Sequence, residues 1–89
     1  MSESKAKSIH GEKYNTMLDC LRSARQIAGL TQVQLAERLG ADQSYISKCE
    51  RGERRIDVVE LRAICNVLGV ELMDFVQTFE ERLKSVGLS

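Results

Sequence analysis

Thr31-Gln32-Val33-Gln34-Leu35-Ala36-Glu37-Arg38-Leu39, then Gly40-Ala41-Asp42, then Gln43-Ser44-Tyr45-Ile46-Ser47-Lys48-Cys49-Glu50-Arg51-Gly52 reads as two short helices and the turn between them. Thr31 and Gln34 fit a capping box: the threonine side chain accepts from the backbone three residues on, and the glutamine reaches back. Leu35, Ala36 and Leu39 form the inner face of this helix, and Gly40 closes it. Two helices joined by so short a turn cross at a steep angle. Such a crossing needs a small side chain at the closest approach, and Ala36 stands there, four residues before Gly40. The turn also needs a residue that tolerates positive φ, which glycine does without steric cost. Asp42 is a good N-cap for the next helix, and Gly52 supplies a left-handed stop after Arg51. Ile46 and Cys49 face back toward Leu35 and Leu39, which leaves Gln43, Ser44, Ser47, Lys48 and Arg51 on the opposite side. That side is polar, with two cations and no carboxylate. Such a face is either solvated and idle or suited to base edges in a major groove, and the turn chemistry and the cations favour the second reading.

Around this pair the same signals place three more helices. One runs from about Lys13 to Ala28, with Met17, Leu18, Leu21, Ala24 and Ala28 at helical spacing and Gly29 after it. A fourth helix opens with Asp57-Val58-Val59-Glu60, a variant of the capping box, and carries Val58, Leu61, Ile64, Cys65 and Leu68 before Gly69. A fifth starts near Glu71 with Leu72, Phe75, Val76, Phe79, Leu83 and Val86 on one stripe. No stretch reads as a strand, a repeat or a low-complexity tract. The expected architecture is all-α, a five-helix bundle of helix-turn-helix type whose fifth helix extends at the C-terminus. Residues 1–12 read as a flexible arm, 13–78 as the domain, and 79–89 as a helical extension.

The 89 residues allow one small domain. There are 13 basic and 13 acidic side chains, so the formal charge is zero. The distribution is uneven. Residues 21–56 carry Arg22, Arg25, Arg38, Lys48, Arg51, Arg54 and Arg55 against four carboxylates, whereas residues 57–89 carry three cations against six. A basic middle with an acidic end is a hint of nucleic-acid contact. The three cysteines, 20, 49 and 65, form no Cys-x-x-Cys pair, and the single histidine is His10, so no zinc set is read. Cys49 and Cys65 read as small core residues in a reduced, cytosolic setting. No apolar run approaches the ~18 residues that span a bilayer, and the first residues lack the apolar stretch of a secretory signal. There is no base-activated nucleophile, carboxylate pair, phosphate loop or metal ligand set, so neither enzymatic activity nor a cofactor is expected.

The composite Thr-Gln-x-x-Leu-Ala, the turn glycine, Tyr45-Ile46-Ser47-x-x-Glu50-x-Gly52 and the trailing Leu68-Gly69-Val70 resembles the phage repressor and Cro type of helix-turn-helix, the large Xre-like family of regulators. The likeness runs from about Tyr14 to Phe79. It implies a sequence-specific DNA-binding protein of the cytoplasm and nucleoid. Gln43, Ser44, Ser47 and Lys48 would contact base edges. Gln32, Tyr45, Arg51, Arg54 and Arg55 would meet the sugar-phosphate backbone, Tyr45 being equally readable as a packing residue. Arg25 and Glu50 fall where the family has a partly buried ion pair that orients the recognition helix. Two positions depart from the pattern: Ile56 stands where the family often has proline, and Cys49 where it often has a larger aliphatic residue.

The stripe of Phe79, Leu83 and Val86 continues beyond what a small core needs, and exposed it would be a liability. A twofold contact between copies covers it and sets two recognition helices roughly 34–36 Å apart, the spacing of an inverted-repeat operator. The function read from sequence is thus a dimeric transcriptional regulator, with the restriction-modification controller type as a narrower guess. An antitoxin that clamps a toxin and represses its own operon is the alternative. Beyond duplex DNA and a second copy, a toxin or RNA polymerase stays open as a partner; a membrane does not.

Overall fold

Gly40 sits at φ 71° and ψ 30°, in the left-handed region, and the backbone turns there as the sequence requires. Around it the N–H of Ala41 donates to the carbonyl of Ala36 at 2.9 Å, closing the end of the preceding helix. The same backbone device recurs at Leu30 to Arg25, Glu53 to Lys48, Val70 to Cys65 and Leu88 to Leu83. The computed structural model describes residues 11–89. Its elements are α1 (Gly11–Ile27), α2 (Gln32–Leu39), α3 (Gln43–Glu50), α4 (Val58–Leu68) and α5 (Leu72–Ser85), with no strand among the described residues. The expected all-α, five-helix architecture is what the chain adopts. Of the expected arm, residues 1–10 lie outside the described residues, and Gly11 and Glu12 already belong to α1. No described helix is long and apolar enough to cross a membrane.

Local chemistry sets the helix starts. The Thr31 hydroxyl accepts from the Gln34 N–H at 3.1 Å, and the Gln34 side chain accepts from the Thr31 N–H at 2.9 Å. Asp57 and Glu60 make the equivalent pair at the start of α4, at 2.7 and 3.0 Å. Asp42 occupies the N-cap of α3 as expected but makes no side-chain capping bond.

The core gathers Met17, Leu18, Cys20 and Leu21 of α1, Leu35 and Ala36 of α2, Ile46 and Cys49 of α3, Ile64, Cys65 and Leu68 of α4, and Phe75 of α5. All three cysteines are buried and unpaired, and burial pushes each thiol above its usual range. They pack as small apolar residues and are poor nucleophiles. The methyl side chain of Ala36 is buried where α2 meets its neighbours, as a steep crossing demands.

The reading of α5 needs correction. Phe79, Leu83 and Val86 do not form a bare stripe: Leu83 is 6% exposed and Phe79 packs against the core, while Val86 is 53% exposed. The reason is the length of α1. At 1.5 Å per residue, its 17 residues run about 25 Å and the 14 of α5 about 21 Å, so α1 can underlie the whole of α5. Leu83 and, in part, Phe79 are thus covered by their own chain, while Val86 stays open.

Ile56, one of the two departures from the pattern noted above, uses its backbone in a way that proline could not. Its backbone N–H, which proline would lack, donates to the Tyr14 phenol oxygen at 2.9 Å and ties the start of α1 to the loop before α4. Tyr14→Phe leaves that N–H without its acceptor, so urea unfolding should show a loss of about 1–3 kcal/mol at unchanged m-value. A loss below the error of the fit would mean the bond contributes nothing.

Candidate nucleic-acid interface

The site is built from the end of α3 backward. Glu50 closes that helix and is 3% exposed; Arg25, near the end of α1, is 9% exposed. Arg25 Nε donates to Glu50 Oε2 at 2.7 Å and Nη2 to Oε1 at 3.1 Å, a bidentate fork, while Nη1 donates to the Leu30 carbonyl at 2.8 Å. The expected orienting pair is thus formed, and it binds α1, the entry to α2 and the end of α3 together. Two further residues join it. Arg22, which read from sequence as a solvated residue of the first helix, donates to the Glu50 carbonyl at 2.6 Å and places its Nε 3.7 Å from Oε1, while it pairs with Asp19 at 3.1 Å. Gln32 Nε2 donates to Glu50 Oε1 at 3.0 Å.

From Gln32 the chain of bonds reaches the exposed face. Gln43, the first residue of α3, donates from its amide to Gln32 Oε1 at 3.0 Å. Gln32 therefore connects the buried carboxylate to the start of α3, a role its expected place on the backbone of a nucleic acid did not include. One N–H of each amide and the Gln43 carbonyl oxygen stay uncommitted in this network. Gln43, Ser44 and Lys48 are exposed and Ser47 half-buried, all clear of the core. Among the described residues, Ser44 and Lys48 form no side-chain hydrogen bond or close ion pair. The four residues expected at base edges thus share one accessible face of α3.

The expected backbone contacts fare differently. Arg51 is engaged by Glu53 through two bonds, 2.8 and 3.0 Å, and donates to the Ser47 hydroxyl. Arg54 pairs with Glu60 at 3.0 Å and lies over the Tyr45 ring, 4.8 Å from its centroid; Arg55 lies over the Tyr14 ring at 5.2 Å. These pairings hold Glu53 and Glu60 below the usual carboxylate range. Tyr45 is half-buried against the core, and burial pushes its phenol up to about 12. It packs against the core with an arginine on its face. Arg51 and Arg54 can therefore meet an anion only by exchanging or sharing a carboxylate.

With this geometry the comparisons agree. The helix-turn-helix family model matches residues 21–75, more than half of the chain. The chain belongs to the XRE-type helix-turn-helix family. An HTH-type transcriptional regulator of Sinorhizobium fredii, y4dJ, is 37% identical over 57 residues, 64% of this chain and 74% of that protein. An XRE-family like protein from Pseudomonas syringae is 40% identical with a TM-score of 0.76, covering 89% of this chain and 96% of that one. The clp gene regulator ClgR from Corynebacterium glutamicum is 25% identical with a TM-score of 0.75, covering 85% and 81%.

Among the XRE-type features, the second contacts of Arg22 and Gln32 on Glu50 escaped sequence reading. An Arg22/Arg25 pair one turn apart on α1 was the available signal, because two cations on one face call for a shared anion. The Arg51–Glu53 pair had a signal too, in opposite charges two residues apart just after a helix. Glu53→Gln removes the carboxylate that occupies Arg51, so the variant should bind any DNA duplex several-fold tighter in a filter or anisotropy assay at low salt. Unchanged or weaker affinity would show that Arg51 does not act on the nucleic acid.

Proposed function

We propose that this protein is a sequence-specific, DNA-binding transcriptional regulator that sets α3 in the major groove of an inverted-repeat operator and binds as a homodimer. The observation that carries this reading is the exposed face of α3, on which Gln43, Ser44 and Lys48 stand clear of the domain while a buried carboxylate holds the helix from behind. Names borne by relatives, a transcriptional regulator among them, support it. Gln43 keeps one amide hydrogen and its carbonyl oxygen, the donor and acceptor that an adenine presents an edge to. Gln32 keeps one amide hydrogen for a phosphate next to the start of α2. Ser44 and Ser47 supply short hydroxyls to either strand, and Lys48 a charge toward a guanine edge or a phosphate. Arg51, Arg54 and Arg55 flank this face on the backbone side. Regulation then consists of occupancy of the operator. The expectation of a cytoplasmic, nucleoid-associated location follows from this reading.

In vitro selection from random duplexes followed by footprinting tests it; enrichment of a paired half-site is the expected result, and no enrichment contradicts it. On the selected duplex Lys48→Ala should cost about 1–3 kcal/mol and relax the preference at one position, whereas an equal loss on random DNA assigns Lys48 to phosphate. Arg51→Ala should weaken all sequences and shrink the slope of log K against log salt by about one unit; an unchanged slope removes Arg51 from the interface.

A further inference from the structure

A cavity of about 390 Å³ is walled by α1, by α5 and by the turn that joins α4 to α5. Sites for small molecules run from roughly 300 to 1,000 Å³ and are mostly apolar with a few placed polar groups. This wall fits that description. Ala24, Ile27, Ala28, Leu68, Val70 and Phe75 make up most of it. Ile27 is 88% exposed, more than any other large apolar side chain among the described residues. An occupant of the cavity would take that side chain out of water.

The polar groups are few, and the charged one stands at one end. On α5, Phe75, Thr78 and Arg82 line the cavity in turn, and seven residues of helix put the first and last about 10 Å apart along the axis. Across from Arg82 on α1 is Cys20. Burial pushes that thiol up, and the Arg82 guanidinium, the next influence on it, draws it back down. Ser23 and Thr78 add hydroxyls one turn away on either helix. Arg22, Arg25, Arg51 and Arg54 are all held by carboxylates of their own chain. Arg82 is half-buried, and among the described residues its guanidinium makes no hydrogen bond or ion pair. No carboxylate lines the cavity. Asp19, whose charge also reaches Cys20, is engaged by Arg22 at 3.1 Å. The remaining wall includes Ile27 and Leu68, the last residues of α1 and α4, where helix dipoles disfavour a negative charge. The cavity is thus polarised, with a free cation at one end and an apolar lining at the other.

We propose that this cavity binds a small amphipathic carboxylate, its hydrocarbon body against Ile27, Val70 and Phe75 and its carboxylate on Arg82. A guanidinium can hold a carboxylate through two parallel bonds, and a partly desolvated one does so with the least competition from water. No residue of α2 or α3 lines the cavity, so binding there needs no nucleic acid.

Sodium decanoate, kept below its micelle-forming concentration, is the probe, titrated into the full nitrogen-labelled chain and followed by nuclear magnetic resonance. One equivalent should bind saturably below millimolar concentration, with amide shifts centred on Ser23, Ala28, Gly69 and Thr78. From hexanoate to decanoate the affinity should rise about threefold per methylene. Decanol, the neutral analogue, should bind more weakly than decanoate, and decylamine more weakly still. Arg82→Gln should weaken decanoate at least about tenfold and change decanol less than about twofold, and Arg82→Lys should recover part of the loss. Thr78→Trp, at an exposed position on the wall, should weaken both ligands at least about tenfold with helicity by circular dichroism unchanged. Four results would overturn the assignment. They are a wild type that does not saturate, shifts centred on the exposed Val59, Met73 and Val86 instead, equal decanoate affinity in Arg82→Gln, and undiminished binding in Thr78→Trp.

Discussion

One buried carboxylate organises this domain. Glu50 closes α3 where water cannot solvate it, and its two oxygens are occupied by Arg25 from α1 and Gln32 from α2, with Arg22 on its carbonyl. Taking two charges out of water offsets most of their attraction, so the pair adds little net stability over a well-packed apolar substitute. Removing one partner is different, since it strands the other in the core at a cost of about 3–5 kcal/mol. What the arrangement secures is direction. A helix of eight residues has little rigidity of its own, and α3 is fixed at one end by Glu50 and on its inner side by Ile46 and Cys49. The bond from Gln32 to Gln43 carries that constraint to the outermost side chain of the helix.

The cations around the face follow another logic. Arg51 and Arg54 are paired with Glu53 and Glu60 in the free protein, at the surface, where such pairs contribute little to stability and exchange readily. An anion arriving at this surface competes with those carboxylates, so part of the attraction expected from the basic middle of the chain is already spent internally. Lys48 keeps its charge for whatever docks, and Ser44 its hydroxyl. Discrimination then depends on few groups held in place, and general attraction on groups that must first change partners.

Much of this was legible in the residues because the relevant signals are local. Gly29, Gly40, Gly52 and Gly69 each stand where a helix ends, Thr31 and Asp57 where one begins, and Ala36 and Cys49 where space is short. The polar side of α3 could be read because its apolar side could. The rest depended on distances that periodicity does not contain. Helical spacing identified Phe79 and Leu83 as apolar but gave no measure of how far α1 runs beneath them. Arg22 looked like a solvated residue because its partner is a main-chain carbonyl 28 positions away. The pairing of Arg51 and Arg54 depends on how the loop after Gly52 curls, and charge counting treats all seven cations of the middle segment alike.

The account holds that α3 is set in place before its ligand arrives and responds only on its outer face. Nuclear magnetic resonance of the uniformly labelled chain, titrated with a duplex obtained by selection, tests this most directly. The side-chain amides of Gln32 and Gln43 and the backbone amides of Ser44 to Lys48 should shift, while the Arg25 Nε–H, locked on Glu50, should keep its frequency and its slow exchange with water. An Arg25 signal that moves or exchanges faster on binding, or an α3 face that stays unchanged while the duplex is bound, would contradict it.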